Sequence, residues 1–208
     1  MKIEVLCHSC IKVEGNGKII YSDPFRIKEE KNDADIIVIT HSHYDHFSEE
    51  DIIKVKNEQT KILITNDLVE RTLQLGFSKE NIIVVTPNNI YNVLGILIST
   101  IPAYNINKKF HPKENNWIGY ILNIENKKVY IAGDTDITEE NKKVECDIAL
   151  VPIGGTYTMT YEEAAELVND INPKLAIPMH YGEIVGKKQD GIEFSKLINE
   201  NIKVEIQI

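Results

Sequence analysis

Four residues able to bind a metal ion fall within six positions of one segment, Thr40-His41-Ser42-His43-Tyr44-Asp45-His46. Imidazole and carboxylate together suit zinc, iron or manganese. His41 and His43 are two positions apart, so in extended backbone they point the same way and can grip one ion together. Asp45 and His46 come where the next helix is about to begin and can face a neighbouring position. Two ions ~3.5–4 Å apart are the usual frame for activating a bridging water. The bland alternative is a polar loop of solvated side chains. It would win for a lone His, but four ligand types crowded behind a hydrophobic strand speak against it.

The elements that must carry this segment can be read from patterning. Ile occurs 34 times and Ala seven times, which favours strands. Lys2–Leu6, Ile11–Val13 and Lys18–Ser22 read as short strands, the last two joined by the turn Glu14-Gly15-Asn16-Gly17. Ile36–Thr40 is a buried strand running into the His cluster. Ser48 caps an acidic helix start that reaches about Lys56. Lys61–Thr65 is a strand, Asp67–Leu75 a helix ended by Gly76, and Ile82–Val85, Ile90–Val93 and Leu97–Ile101 are strands. A long loop, Pro102 to about Trp117, has the length of a functional segment. Ile118–Ile124 and Lys128–Ala132 form a second hairpin, and Asp147–Val151 is a buried strand. Thr160-Tyr161-Glu162-Glu163 is a capping box for a helix to about Asn172; Leu175–Pro178, a helix near Gly191–Asn199 and Val204–Ile206 follow. A single α/β (α+β) domain over residues 1–208, two packed sheets with helices outside, fits this order. A doubly wound sheet fits the pattern equally well.

Composition removes other classes. The 208 residues carry 23 Lys plus Arg against 32 Asp plus Glu, a net charge of −9, and only Arg26 and Arg71 are Arg. That balance argues against a nucleic-acid-coating surface. No apolar run approaches the ~20 residues of a membrane span, and the start lacks the apolar core of a signal peptide. A cytoplasmic protein is expected. Oligomeric state cannot be read. Three Cys are too few for a disulfide scaffold.

The segment H-x-H-x-D-H after a strand resembles the signature of the metallo-β-lactamase fold superfamily, and the likeness continues in order along nearly the whole chain. Asp23 in Ser22-Asp23-Pro24-Phe25, Asp134 in Ala132-Gly133-Asp134-Thr135 and His180 in Ile177-Pro178-Met179-His180-Tyr181-Gly182 match its later positions. His8 matches a His found after the first strand in one branch, with Cys7 where members carry glycine. The chain is most similar to the short, UlaG-like and phospholipase-D-like branch of metal-dependent hydrolases. The resemblance implies a four-layer αββα sandwich with the site at one edge between the sheets. It implies two divalent metal ions, zinc first, with manganese or iron also suited. His41 and His43 would hold the first ion, Asp45, His46 and His180 the second, and Asp134 would bridge them. Asp45 would also orient the nucleophilic water, and His8 and Asp23 would lie just behind the ligands.

One family position departs. Members supply a third His to the first ion after the strand matching Leu97–Ile101, and here that run reads Ile101-Pro102-Ala103-Tyr104-Asn105. Asn105, His111 or a water would complete the site; a substrate role for Asn105 or His111 stays open. Asn105 read as a turn residue and His111 as a surface residue is the plain alternative.

Three features invite misreading. Cys7-His8-Ser9-Cys10 is a C-x-x-C, but it lies between strands instead of opening a helix, which disfavours redox use. Gly154-Gly155-Thr156-Tyr157-Thr158-Met159 lacks the Lys of a phosphate loop and reads as a rim loop with Tyr157 as a substrate contact. Lys108, Lys109 and Lys113 read as a solvated basic loop, with an anionic substrate as the sharper alternative. The expected activity is hydrolysis of a phosphodiester, lactone or other ester in a small-molecule substrate. A di-iron oxidoreductase and a non-enzymatic metal-binding module are the alternatives.

Overall fold

The computed structural model describes residues 1–208. Thirteen strands form two sheets. The first runs β1 (Lys2–Cys7), β2 (Cys10–Gly15), β3 (Lys18–Ser22), β4 (Ile36–Val38), β5 (Lys61–Ile64) and β6 (Ile82–Val84), paired in sequence order. The second holds β7 (Ile90–Val93), β8 (Ile96–Pro102), β9 (Ile118–Ile124), β10 (Lys127–Ile131), β11 (Ile148–Pro152), β12 (Leu175–Met179) and β13 (Lys203–Val204), again neighbour to neighbour. Each sheet is antiparallel at one side and parallel at the other: β3 to β6 run parallel, as do β10 to β13.

Alternation along the strands builds three apolar layers. Ile36 and Val38 face the second sheet, while Ile37 and Ile39 face the helices α1 (Glu49–Val55) and α2 (Val69–Gln74). Leu150 points between the sheets, while Ala149 and Val151 pack under α3 (Tyr161–Ile171) and α4 (Lys188–Leu197). The result is the four-layer αββα sandwich, not a doubly wound sheet. The parallel strands read as near-continuous apolar runs because both of their faces are covered. No helix is long and apolar enough to cross a membrane.

The capping signals hold. The Ser48 hydroxyl accepts from the Asp51 N–H, and Thr160 and Glu163 form a reciprocal box at the start of α3. Two helices differ from expectation. The segment from Asn66 opens as a 3₁₀ turn, and α-helical geometry begins only at Val69. The last helix begins at Lys188, so Gly191 lies inside it. Glycine disfavours helix interiors, yet a Cβ at 191 would sit 2.9 Å from Cζ of Tyr181. Packing against that ring overrides the local preference.

Candidate metal centre

All the candidate side chains leave one edge of the sandwich. Asp23 follows β3, and β4 leads through Ile39 and Thr40 into His41. β10 leads through Ala132 and Gly133 to Asp134, and His180 directly follows β12. His8 occupies the tight turn between β1 and β2, and His111 lies in the long loop after β8. The sheets are tied together here. The Tyr120 hydroxyl of β9 donates to the Ile39 carbonyl at 2.8 Å, the Ile118 N–H to the Thr40 carbonyl at 3.2 Å, and the His180 N–H to the His8 carbonyl at 3.0 Å. His8, Asp23 and His180 hold φ of 53°, 47° and 58°, in the left-handed region. Such residues cost on the order of 1 kcal/mol or more and persist where surroundings over-determine them. Gly133 shares that geometry, and a Cβ there would lie 3.0 Å from the Ile118 carbonyl.

Three donor sets converge, each within 4.8 Å: His41, His43 and His111; His41, His46 and Asp134; and His8, Asp45 and His180. His41 Nε2 is 3.0 Å from His43 Nδ1. One oxygen of Asp134 lies 3.1 Å from His180 Nε2 and 3.2 Å from His111 Nε2, and the other lies 3.4 Å from His46 Nε2. Asp45 Oδ2 lies 3.8 Å from His180 Nε2 and 4.0 Å from His46 Nε2. Nε2 of His46, His111 and His180 and Oδ1 of Asp134 are buried and make no hydrogen bond. A buried polar atom left unpaired costs ~1–3 kcal/mol. Donors around a tetrahedral ion with bonds of ~2.0–2.1 Å stand ~3.3 Å apart. The donors therefore fit shared cations in both chemistry and spacing.

The far sides of the rings are anchored. His46 Nδ1 donates to Asp23 Oδ2 at 2.8 Å, and Asp23 also accepts from the Thr40 hydroxyl at 2.7 Å and the Thr40 N–H at 2.8 Å. That hydroxyl accepts from His41 Nδ1 at 3.0 Å. Asn105 Oδ1 accepts from both His111 Nδ1 and the His111 N–H, each at 3.0 Å. Each anchor fixes the tautomer that aims Nε2 inward. Replacing Asp23 with Asn, which keeps the shape and tolerates the left-handed backbone, should weaken metal affinity about 10- to 100-fold while leaving the fold intact. Chelator competition checks the first outcome and circular dichroism the second.

Electrostatics follows from burial against charge. Burial would keep the His46 ring neutral, but Asp134 and Asp23 outweigh it and raise its pKa well above the usual value. Burial, then the nearby His46, holds His41 well below it. Burial would raise the Asp134 carboxyl, yet the surrounding rings, His180 and His46 foremost, hold it well below the carboxylate range. Partial burial would likewise raise Asp45, but the bond from His8 Nε2 at 3.2 Å and the His46 ring bring it down to about 2. Because the folded pKa lies below the ordinary one, Asp45 stabilises the metal-free protein above pH ~4. That contribution, ~2 kcal/mol, fades as pH falls through about 2. Urea unfolding of chelated wild type and Asp45→Asn should differ by this amount at pH 7 and converge near pH 2.

Two placements sharpen expectations. His111 joins His41 and His43, while the Asn105 side chain turns away from the cavity onto His111 and the Tyr157 carbonyl, 2.9 Å from its Nδ2. The Asn105 amide, expected at the substrate or as an oxygen ligand, is bonded to those two partners. Tyr157 does line the cavity of about 260 Å³ over the cluster, with Tyr44 and Phe110. Larger grooves of about 700 and 460 Å³ hold none of the His residues. Spacing alone did not reveal Thr40 or the role of Trp117, whose ring lies 4.9 Å from His41 and 4.8 Å from His43. A hydroxyl residue next to the first His and a lone Trp ending the long loop were the available signals.

Such a two-sheet sandwich with a His/Asp edge cluster is a metallo-β-lactamase fold, and residues 2–180 match the model of the Beta-lactamase superfamily domain. The sequence is 32% identical over 220 residues to the UPF0173 metal-dependent hydrolase of Thermococcus kodakarensis, covering 99% of this chain and 96% of that protein. It is 31% identical to the one of Methanopyrus kandleri, covering 100% and 96%. The chain belongs to the UPF0173 metal-dependent hydrolase family of that superfamily. Among solved structures, a metal-dependent hydrolase of Parabacteroides distasonis is similar with TM-score 0.82 and 30% identity, over 98% of this chain and 91% of that one. The metallo hydrolase Igni18 of Ignicoccus hospitalis follows with TM-score 0.80 and 26% identity, over 98% and 93%.

Proposed function

We propose that this chain hydrolyses an ester-type bond, lactone, carboxylic ester or phosphodiester, with two divalent ions, zinc first. The observation that carries the reading is the convergence of buried, unpaired ring nitrogens on Asp134, whose two oxygens reach donors from both sides of the cluster. His41, His43 and His111 would hold one ion, and Asp45, His46 and His180 the other, with Asp134 between them. Two such ions supply a water that ionises near neutral pH and a Lewis acid for the carbonyl or phosphoryl oxygen.

The chain's own groups do the rest. Asp45, at the cavity wall, accepts a hydrogen bond from the attacking water and so points its lone pair at the substrate. His8 donates to Asp45 Oδ2 and keeps that carboxylate ionised and in place. Asp23 and Thr40 hold His46 and His41 so that neither ring rotates. Trp117 walls off His41 and His43 and, through Nε1, donates to Asp67 at 3.4 Å. The three unpaired thiols suit a cytoplasmic setting.

The test is metal analysis of tag-free protein followed by an ester and phosphodiester panel. Two zinc ions per chain and chelator-sensitive hydrolysis are expected. A chain purified with no metal above background, and inert after zinc is added, contradicts the reading.

A further inference from the structure

The cavity above the cluster has a mouth of one chemical character. Tyr44, Phe110, Tyr157 and Ile184 form its rim, and no Lys or Arg lines it. Phe110 and Tyr157 meet edge to face with ring centres 4.7 Å apart, and both remain more than a third exposed. Tyr44, two-thirds exposed, leans on Phe25 with centres 6.1 Å apart. Large apolar rings held open to solvent over a polar floor are the pattern of a small-molecule site. At about 260 Å³ the space is smaller than the ~300–1,000 Å³ of drug-sized pockets.

Three cations of the surrounding loops are engaged by carboxylates, and Lys109, which makes no ion pair, does not line the cavity. Lys108 Nζ is bound to Asp136 at 2.6 Å, Lys113 Nζ to Glu140 at 2.9 Å, and Arg26 to Glu183 at 2.6 Å. The floor and its backing carry three buried carboxylates, Asp23, Asp45 and Asp134. These oppose the charge of the proposed ions, and no guanidinium or ammonium lines the cavity to match an anionic substrate. Asn105 adds precision. Its side chain holds His111 with one end and the Tyr157 carbonyl with the other, so the aromatic wall stands at a fixed distance from the reacting groups.

We propose that the site selects a compact, uncharged substrate with a flat apolar group beside the scissile bond, an aryl ester or planar lactone, gripped by Phe110 and Tyr157, in preference to a phosphodiester. This rests on the hydrolase reading above and narrows its substrate class. Aromatic contacts then act mainly on binding, and the metal-facing groups on turnover.

The experiment uses the zinc-loaded full chain. Hydrolysis of 4-nitrophenyl acetate and bis(4-nitrophenyl) phosphate is compared by KM at the same pH. Binding is read separately by quenching of Trp117, the single Trp of the chain, with uncharged 4-nitroacetanilide and anionic 4-nitrobenzenesulfonate. The expected result is a lower KM for the ester and tighter binding of the amide. Phe110→Ala and Tyr157→Ala should each raise KM for phenyl acetate about tenfold, leave kcat within about twofold, and leave KM for methyl acetate unchanged. A lower KM for the phosphodiester, tighter sulfonate binding, or equal KM changes for phenyl and methyl acetate would overturn the selectivity while leaving the hydrolase reading standing. Zinc-loaded protein inert toward every substrate would instead sink the hydrolase reading, and Trp117 quenching would still decide which probe the cavity prefers.

Discussion

Asp134→Asn is expected to lower metal content from two ions per chain to one or none and hydrolysis by about a thousandfold or more. The cause is geometric as well as electrostatic. Oδ2 of Asp134 lies within 3.2 Å of ring nitrogens from His111 and His180, and Oδ1 within 3.4 Å of one from His46. An amide keeps the shape but loses the charge and turns one of the two donor atoms into an N–H that repels a cation. The side chain is buried, so water cannot replace the lost ligand without displacing neighbours. Metal content by mass spectrometry and hydrolysis of the best substrate check this. Two bound ions and near-wild-type hydrolysis in the variant would remove Asp134 from the centre.

His111→Ala should give the second large effect: loss of one ion of the two and about a hundredfold or greater loss of hydrolysis. His111 Nε2 is the loop's only contribution to the set with His41 and His43. Asn105→Ala should be milder, about tenfold in affinity for that same ion, because the ring stays but its orientation is freed. The ordering of the two variants separates a ligand from its brace. Equal effects, or a larger one for Asn105→Ala, would reverse the assignment.

Much of this was written in local sequence. His41, His43, Asp45 and His46 share one segment, so their proximity needs only a turn, made by the Phe47 N–H bonding to the His43 carbonyl at 2.8 Å. The capping box at Thr160 and the alternation of Ile36 to Ile39 are likewise short-range signals. What sequence left open depends on contacts across the fold. Whether Asn105, His111 or water stands beside His41 turns on how the loop from Pro102 to Trp117 closes. It closes through the Asn105 N–H donating to the His111 carbonyl at 2.8 Å, with Asn105 Oδ1 accepting in return. No periodicity encodes that clasp. His8 was legible as a strand-end residue, but its bond to Asp45 spans 37 positions of chain and needs the left-handed turn at φ 53°. Gly191 misled in the opposite direction, since its local preference says helix end while the Tyr181 ring demands a residue without Cβ.

Two ions in a shared cage at one edge of the sandwich should be visible to X-rays. The deciding experiment is diffraction from zinc-soaked crystals at and below the zinc absorption edge. Two anomalous peaks are expected, one among His41, His43 and His111 and one among Asp45, His46 and His180, with Asp134 touching both. A single peak distant from Asp134, or none at this edge with zinc bound elsewhere, would contradict the shared cage.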